Sequence, residues 1–160
     1  MRLKITAVGR LKAGPERQLY DRYAERIAAA GKSLGLTFAL REIAESRAGS
    51  PGQRIAEETA ALSSDPPDGR RVVLDSSGKA LASQAFADRI AAWRDEGARE
   101  TAFMIGGADG LARSALEGAD LVLSFGAVTW PHQLVRIMLV EQLYRAVTIL
   151  AGHPYHRELR

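Results

Sequence analysis

Near the end of the chain, His153-Pro154-Tyr155-His156-Arg157-Glu158 places two imidazoles, a phenol and a guanidinium within six residues. These groups can move protons, stack on a base and bind phosphate. Such density at a terminus points to function rather than fraying. Upstream, Gly106-Gly107-Ala108-Asp109-Gly110 puts three glycines into five residues directly after an apolar run. Bare backbone there can approach a ligand and offer its own N–H and C=O groups, although tight backbone packing would also select glycine. A third segment, Ser124-Phe125-Gly126-Ala127-Val128-Thr129-Trp130-Pro131-His132, is too apolar for an open loop. It needs a cover: a planar heterocycle lying among Phe125, Val128 and Trp130, a partner subunit, or its own core.

Several chemistries are excluded. The glycine loop is not a dinucleotide fingerprint, because Ala108 stands where the second glycine should fall. Gly78-Lys79 is not a phosphate loop, since Val73 and Ala80 occupy the positions that need Gly and Ser or Thr. The chain has no cysteine, which removes disulfides, thiolate metal sites and thiol nucleophiles. With only three histidines no metal centre is expected, and no serine sits in a nucleophile elbow.

The elements that must hold these segments follow from hydrophobic period. Leu3, Ile5 and Ala7 alternate up to Gly9 as a first strand. Gly14-Pro15 opens a helix carrying Leu19, Tyr23 and Ile27, which Gly31 ends. A strand over 36–43, a loop through Gly49 to Gly52 and a helix over 55–62 lead to the linker-like stretch 63–69. Then come a strand over 71–75, a turn over 76–79, a helix over 83–96, a strand over 101–105, a short helix over 111–117, a strand over 121–124 and a long helix over 133–150. Alternation of this kind predicts an α/β fold, a mainly parallel sheet with helices on both faces. Ligands of such sheets sit beyond the carboxyl ends of the strands, which singles out the loops after Leu74, Ile105 and Ser124.

At 160 residues with 46% apolar and 26% charged residues, the chain makes one globular domain. It shows no membrane span or export segment, so a cytoplasmic location is expected. The net charge of +3 is concentrated at the two ends, a pattern that fits binding to a polyanion. On the long helix, Glu141, Gln142, Arg145 and Thr148 share one polar sector and the rest is almost wholly apolar. One small domain covers such a helix only in part, so a homodimer is expected with this helix in its interface. Arg136 lies opposite the polar sector and requires an acid, a carbonyl or an anionic substrate as partner.

Six ordered motifs make the whole chain resemble a known family. They are Leu3-Lys4-Ile5-Thr6-Ala7-Val8-Gly9, Leu74-Asp75-x-x-Gly78-Lys79, the run from Phe103 to Leu111, Thr129-x-Pro131-His132-Gln133-Leu134-Val135-Arg136, Glu141-Gln142-Leu143-Tyr144-Arg145-Ala146, and the tail from His153 to Glu158. The resemblance is to the RlmH type of SPOUT-class methyltransferase, which methylates N3 of a pseudouridine in 23S ribosomal RNA using S-adenosylmethionine. It implies a single SPOUT domain over 1–160 with a C-terminal trefoil knot, a homodimer, and the assembled 70S ribosome as substrate, with no metal. It further implies that Leu74, Gly106, Gly107 and the stretch Phe125, Gly126, Ala127, Val128, Thr129, Trp130 and Pro131 hold the cofactor. On this reading Tyr155 and His156 hold or deprotonate the target base. Arg145 and Arg157 contact phosphates, His153 and Arg136 belong to the substrate side, and His132 orders its loop. A non-catalytic RNA-binding or ribosome-assembly module, and a SPOUT enzyme acting on tRNA, are the alternatives.

Overall fold

Along the first strand, β1 (Arg2–Val8), Leu3, Ile5 and Ala7 enter one apolar cluster while Val8 enters another on the opposite side. That alternation is what a strand buried on both faces requires. The computed structural model describes residues 1–63 and 69–156, so five residues of the linker-like stretch and Arg157 fall outside it. The remaining elements follow in chain order: α1 (Pro15–Gly31), β2 (Thr37–Ile43), α2 (Pro51–Leu62), β3 (Arg70–Lys79), α3 (Ser83–Asp95), β4 (Glu100–Ile105), α4 (Arg113–Glu117), β5 (Leu121–Leu123) and α5 (His132–Leu150).

The five strands form one parallel sheet in the order β2-β1-β4-β3-β5. β4 is central and every one of its residues is buried. The larger core unites Phe103 and Ile105 of β4 with Ile27 of α1, Phe86, Ile90 and Trp93 of α3, and Leu139, Leu143 and Val147 of α5. On the other face, Met104, Val73 and Val8 meet Leu62 of α2, with Leu111 and Leu116 packed against them. The expected two-sided α/β sheet is therefore the fold, with three α-helices on one face and two on the other among the described residues.

Three boundaries differ from the sequence expectation by more than one residue. α2 begins one turn earlier, because Ser50 caps it through Gln53 N–H and Pro51 takes the first helical position. α4 begins later, at Arg113, since Ala112 N–H is spent on Thr59 Oγ1 of α2. The turn expected over 76–79 is a bulge inside β3: Leu74 and Lys79 both pair with Leu123, and Asp75 Oδ1 accepts Ser77 N–H at 2.9 Å. Gly78 makes this possible, for a Cβ there would lie 2.6 Å from the carbonyl oxygen of Val122.

Candidate active site

Because β3 lies between β4 and β5, the loops that end these three strands are neighbours, and together they enclose a cleft of about 240 Å³. Leu74, Asp75 and Ser76 come from β3, residues 105–108, 110 and 111 from β4, and Leu123, Phe125, Gly126, Val128, Thr129 and Trp130 from β5 and its loop. His132 and Val135, one turn apart at the start of α5, complete the wall. Of the ten residues expected around a cofactor, eight line the cleft; Ala127 and Pro131 belong to the same loop without lining it. Ile105, Ala108, Gly110, Leu111 and Leu123 extend the expected strand ends and loops, and Asp75, Ser76, His132 and Val135 are further additions. The strand-end rule that selects Leu74 also reaches Asp75 and Ser76.

The apolar loop after β5 is tied to itself and to the β3 bulge. Ser124 Oγ donates to Ser76 O at 3.3 Å and accepts Gly126 N–H at 3.1 Å, while Trp130 Nε1–H donates to Phe125 O at 3.3 Å. Val128 nevertheless stays 59% exposed and Trp130 41%, so the loop does not bury itself in its own core. It forms an apolar lip around the cleft.

The glycines of the β4 loop have two different causes. A Cβ on Gly106 would lie 2.8 Å from the Leu111 side chain, and one on Gly107 would lie 2.6 Å from Glu58 Oε2. Both positions are small because protein packs against them, which is the tight-packing alternative. Gly110, by contrast, has φ near 84°, a conformation that favours glycine. The loop rests on α2 through the buried Glu58, through Thr59, and through an ion pair of Arg54 Nε with Asp109 Oδ2 at 2.6 Å. Hydrogen bonding to Arg54 holds the Asp109 carboxyl below its ordinary pKa.

Among the described residues no lysine or arginine lines the cleft, and its carboxylate is Asp75. The floor is apolar, with Leu74, Ile105, Leu123 and Val135. Such a pocket suits a flat heterocycle attached to a positively charged group. It is poorly made for a polyphosphate, which needs cationic side chains or a cluster of free amides.

The tail residues lie elsewhere. Tyr155 packs against Tyr144 with ring centroids 4.6 Å apart, and the Arg145 guanidinium sits 5.1 Å above the Tyr155 ring. The Tyr155 hydroxyl donates to Glu141 Oε1 at 3.3 Å and lies 3.5 Å from the hydroxyl of Tyr23. Burial, followed by Tyr23 and Glu141, pushes the Tyr155 phenol above its ordinary pKa. It therefore keeps its proton at neutral pH. Arg145 and Glu141 form the expected i,i+4 pair at 2.7 Å. His153 is exposed and its Nδ1 accepts Tyr155 N–H at 3.2 Å. Tyr155 and Arg145 are brought together, yet neither lines the cleft of its own chain. The side chain of His156 lies outside the described residues.

Arg136 is not a substrate contact. Its side chain is 1% exposed, and it donates to Glu42 Oε1 at 2.7 Å, Val8 O at 3.0 Å and Gly9 O at 3.1 Å. The acid and carbonyl partners required by its position on α5 are both supplied from within the chain, and Nε, which has no partner among the described residues, is buried away from solvent. Burial lowers its pKa and Glu42 works against that shift.

Beside the cleft runs a second groove of about 530 Å³ lined by Leu19, Tyr23, Leu81, Ile137, Met138 and Glu141 among others. Phe125 belongs to both, so the cleft and the groove share a wall. Leu19 and Leu134 are exposed apolar residues on α1 and α5, as an uncovered face of the long helix requires. Among the described residues no helix is long and apolar enough to cross a membrane, and no group of acidic residues and histidines is arranged to hold a metal ion.

Known proteins share this chain's sequence over nearly its whole length. A family model described as "Predicted SPOUT methyltransferase" matches residues 1–156. Ribosomal RNA large subunit methyltransferase H of Nitrobacter winogradskyi is 56% identical over 159 residues, spanning 98% of this chain and 99% of that protein. The protein of the same name from Bradyrhizobium diazoefficiens is 55% identical over 159 residues, again spanning 98% and 99%. Among solved structures, the SpoU methyltransferase AviRb from Streptomyces viridochromogenes, in complex with AdoMet, aligns with a TM-score of 0.41 at 13% identity, over 95% of this chain and 61% of that one.

Proposed function

The chain belongs to the SPOUT methyltransferases, and on that premise we propose that it transfers a methyl group from S-adenosylmethionine to large-subunit ribosomal RNA. The target is N3 of a pseudouridine in 23S rRNA, presented by the assembled 70S ribosome. The single observation that carries this reading is the character of the cleft: apolar floor, main-chain edges, one carboxylate, and no lysine or arginine among its described residues. A cationic sulfonium attached to adenosine fits that donor set, whereas nucleoside polyphosphates do not.

When bound, S-adenosylmethionine supplies a methyl group on a positively charged sulfur. The imide nitrogen of the base forms the new N–C bond as the C–S bond breaks, with the electron pair left on sulfur and the imide proton passed to a base. The chain's own contribution is placement. Leu74, Gly106, Gly107, Phe125, Gly126, Val128, Thr129 and Trp130 hold the donor, with Ala127 and Pro131 shaping the same loop. Trp130, pinned to Phe125 O, would hold the apolar lip in place beside it. Asp75, which accepts Ser77 N–H, would supply the carboxylate that favours a positive charge in the cleft. The protonated Tyr155 stacks on or donates to the target base, and His156 is left as the proton acceptor. Arg145, Arg157 and His153 meet the RNA, while His132 orders the loop. The same reading includes a C-terminal trefoil knot formed by the loops after β3, β4 and β5.

Tyr155 and Arg145 sit at the groove side, away from their own cleft, which supports a homodimer in which one protomer's tail serves the other's donor site. The apolar groove on α1 and α5 is the surface such a dimer would bury. The enzyme acts in the cytoplasm, where ribosomes assemble.

Calorimetric titration tests the donor: S-adenosylmethionine gives a binding isotherm and ATP gives none. Labelled methyl transfer tests the acceptor, using 70S ribosomes from a strain lacking this protein against total tRNA, with mapping of the modified nucleotide. Label in tRNA alone, or a silent titration, would refute the reading. His156→Ala should abolish turnover while donor affinity is kept.

A further inference from the structure

Because no lysine or arginine lines the cleft among its described residues, the attraction that holds a polyanionic substrate must come mainly from the surface around it. Several N-terminal basic residues are already paired with acids. Arg2 and Lys4 both pair with Glu100, Arg17 pairs with Asp21, and Arg54 pairs with Asp109. Arg10, Lys12 and Arg47 are exposed and form no ion pair with any described residue.

These three cations sit on loops that are held still. The loop after β1 is fixed by Arg136 at Val8 O and Gly9 O, by Glu42 Oε1 at Leu11 N (2.9 Å), and by the Leu11 side chain, which is 6% exposed. Arg10 and Lys12 flank that anchor. The loop after β2 is fixed on either side of Arg47, with Ser46 N–H on Glu58 Oε1 at 2.8 Å and Ala48 O on Arg54 Nη1 at 3.1 Å. Both loops leave the same edge of the sheet. Val8 is in register with Ile43, Gly9 N–H donates to Ile43 O, and Val8 Cγ1 packs beside Gly107 of the cleft. Of the acids nearby, Glu42 is engaged by Arg136 and Leu11 N–H, and Glu57 and Glu58 by Ser46, which leaves Glu45, beside Gly9, and Glu16, in the first turn of α1, against the three cations.

We propose that Arg10, Lys12 and Arg47 form a docking rim for RNA phosphates, continuous with the cleft through the glycine loop. This rests on the methyltransferase reading above. Holding the backbone in advance reduces the ordering cost of each contact, and charge on a rim sets association and salt dependence more than chemistry.

The test uses the full-length protein and 70S ribosomes from a strain lacking it, comparing wild type with the triple variant Arg10→Gln, Lys12→Gln, Arg47→Gln. The variant should raise KM for ribosomes roughly tenfold and lower the magnitude of the log KM against log salt slope by about 2, near 0.7–0.9 per lost phosphate contact. Its affinity for S-adenosylmethionine should match wild type, since none of the three touches the cleft. The charge-preserving variant Arg10→Lys, Lys12→Arg, Arg47→Lys should restore both KM and slope. Wild-type KM and slope in the neutralised variant would overturn the docking rim and leave the methyltransferase reading intact. Failure of wild type to methylate ribosomes at all would overturn the reading on which the rim rests. A change in donor affinity in step with KM would also refute the proposal, by showing that the loops act on the cleft.

Discussion

Arg136→Met removes the most demanding buried group in the protein while keeping most of its volume. The guanidinium is withdrawn from Glu42 and from the carbonyls of Val8 and Gly9, all at 2.7–3.1 Å. Breaking a buried ion pair by deleting one partner costs about 3–5 kcal/mol. Two effects adjust that range. Glu42 is 15% exposed and keeps Leu11 N–H and a longer contact to Arg17 at 3.7 Å, which softens the loss. The two carbonyls lie in buried residues, and each group left without a donor costs about 1–3 kcal/mol, which adds to it. The expected loss is about 4 kcal/mol, near a thousandfold in the folding equilibrium. Urea unfolding at pH 7 and one fixed protein concentration measures it as a lower midpoint at unchanged slope. Arg136→Lys should lose roughly half as much, since one ammonium cannot reach three acceptors on two strands. Combining Arg136→Met with Glu42→Leu should cost less than the sum of the single changes. A loss below about 1 kcal/mol for Arg136→Met would refute the claim that this side chain ties α5 to the end of β1. Because Val135 and His132 line the cleft one residue and one turn away, donor affinity should fall in parallel.

Gly78→Ala should destabilise by about 1–3 kcal/mol in the same assay, because its Cβ would meet rigid backbone at Val122, whereas Gly49→Ala, with open space around it, should change little. Asp109→Asn should weaken binding of S-adenosylmethionine several-fold by calorimetry. The Asp109 carboxyl has a lowered pKa in the folded chain, so its stabilisation is present above the unfolded value near 4 and lost as pH falls below it. Wild type and Asp109→Asn should accordingly converge in stability at acid pH. The Tyr20 hydroxyl is buried with no hydrogen-bond partner among the described residues, and its pKa is raised, chiefly by burial. Tyr20→Phe should be neutral or stabilising at pH 7. It should also blunt the stability loss that sets in as pH rises past the unfolded tyrosine value near 10.

Most of the fold is legible in the sequence because local chemistry dictates it. The two-residue alternation of β1 and the four-residue spacing of Leu19, Tyr23 and Ile27 each follow from where one short segment must place its apolar side chains. The same holds for the three glycine-rich or apolar loops at strand ends, which is why eight of ten expected donor-site residues line one cleft. Gly78 shows the limit: its type and neighbours suit a turn, yet what demands it is the carbonyl of Val122 across the sheet. Gly106 and Gly107 suit a loop open to a ligand, but Leu111 and Glu58 stand where their side chains would be.

The sequence alone determined the element order, the parallel sheet, the family, and a polar stripe on an otherwise apolar α5, because each is encoded by neighbours in the chain. Only the tertiary structure decided that β3 lies between β4 and β5, so that three distant loops become one site. It alone placed Arg136 on Glu42 and the carbonyls of Val8 and Gly9 rather than on a substrate, and set Tyr155 on Tyr144 and Glu141 rather than in the cleft. The physical reason is common to all three. Strand order and the partner of a buried charge depend on which remote segments meet, and a side chain's type fixes what it needs without fixing who supplies it.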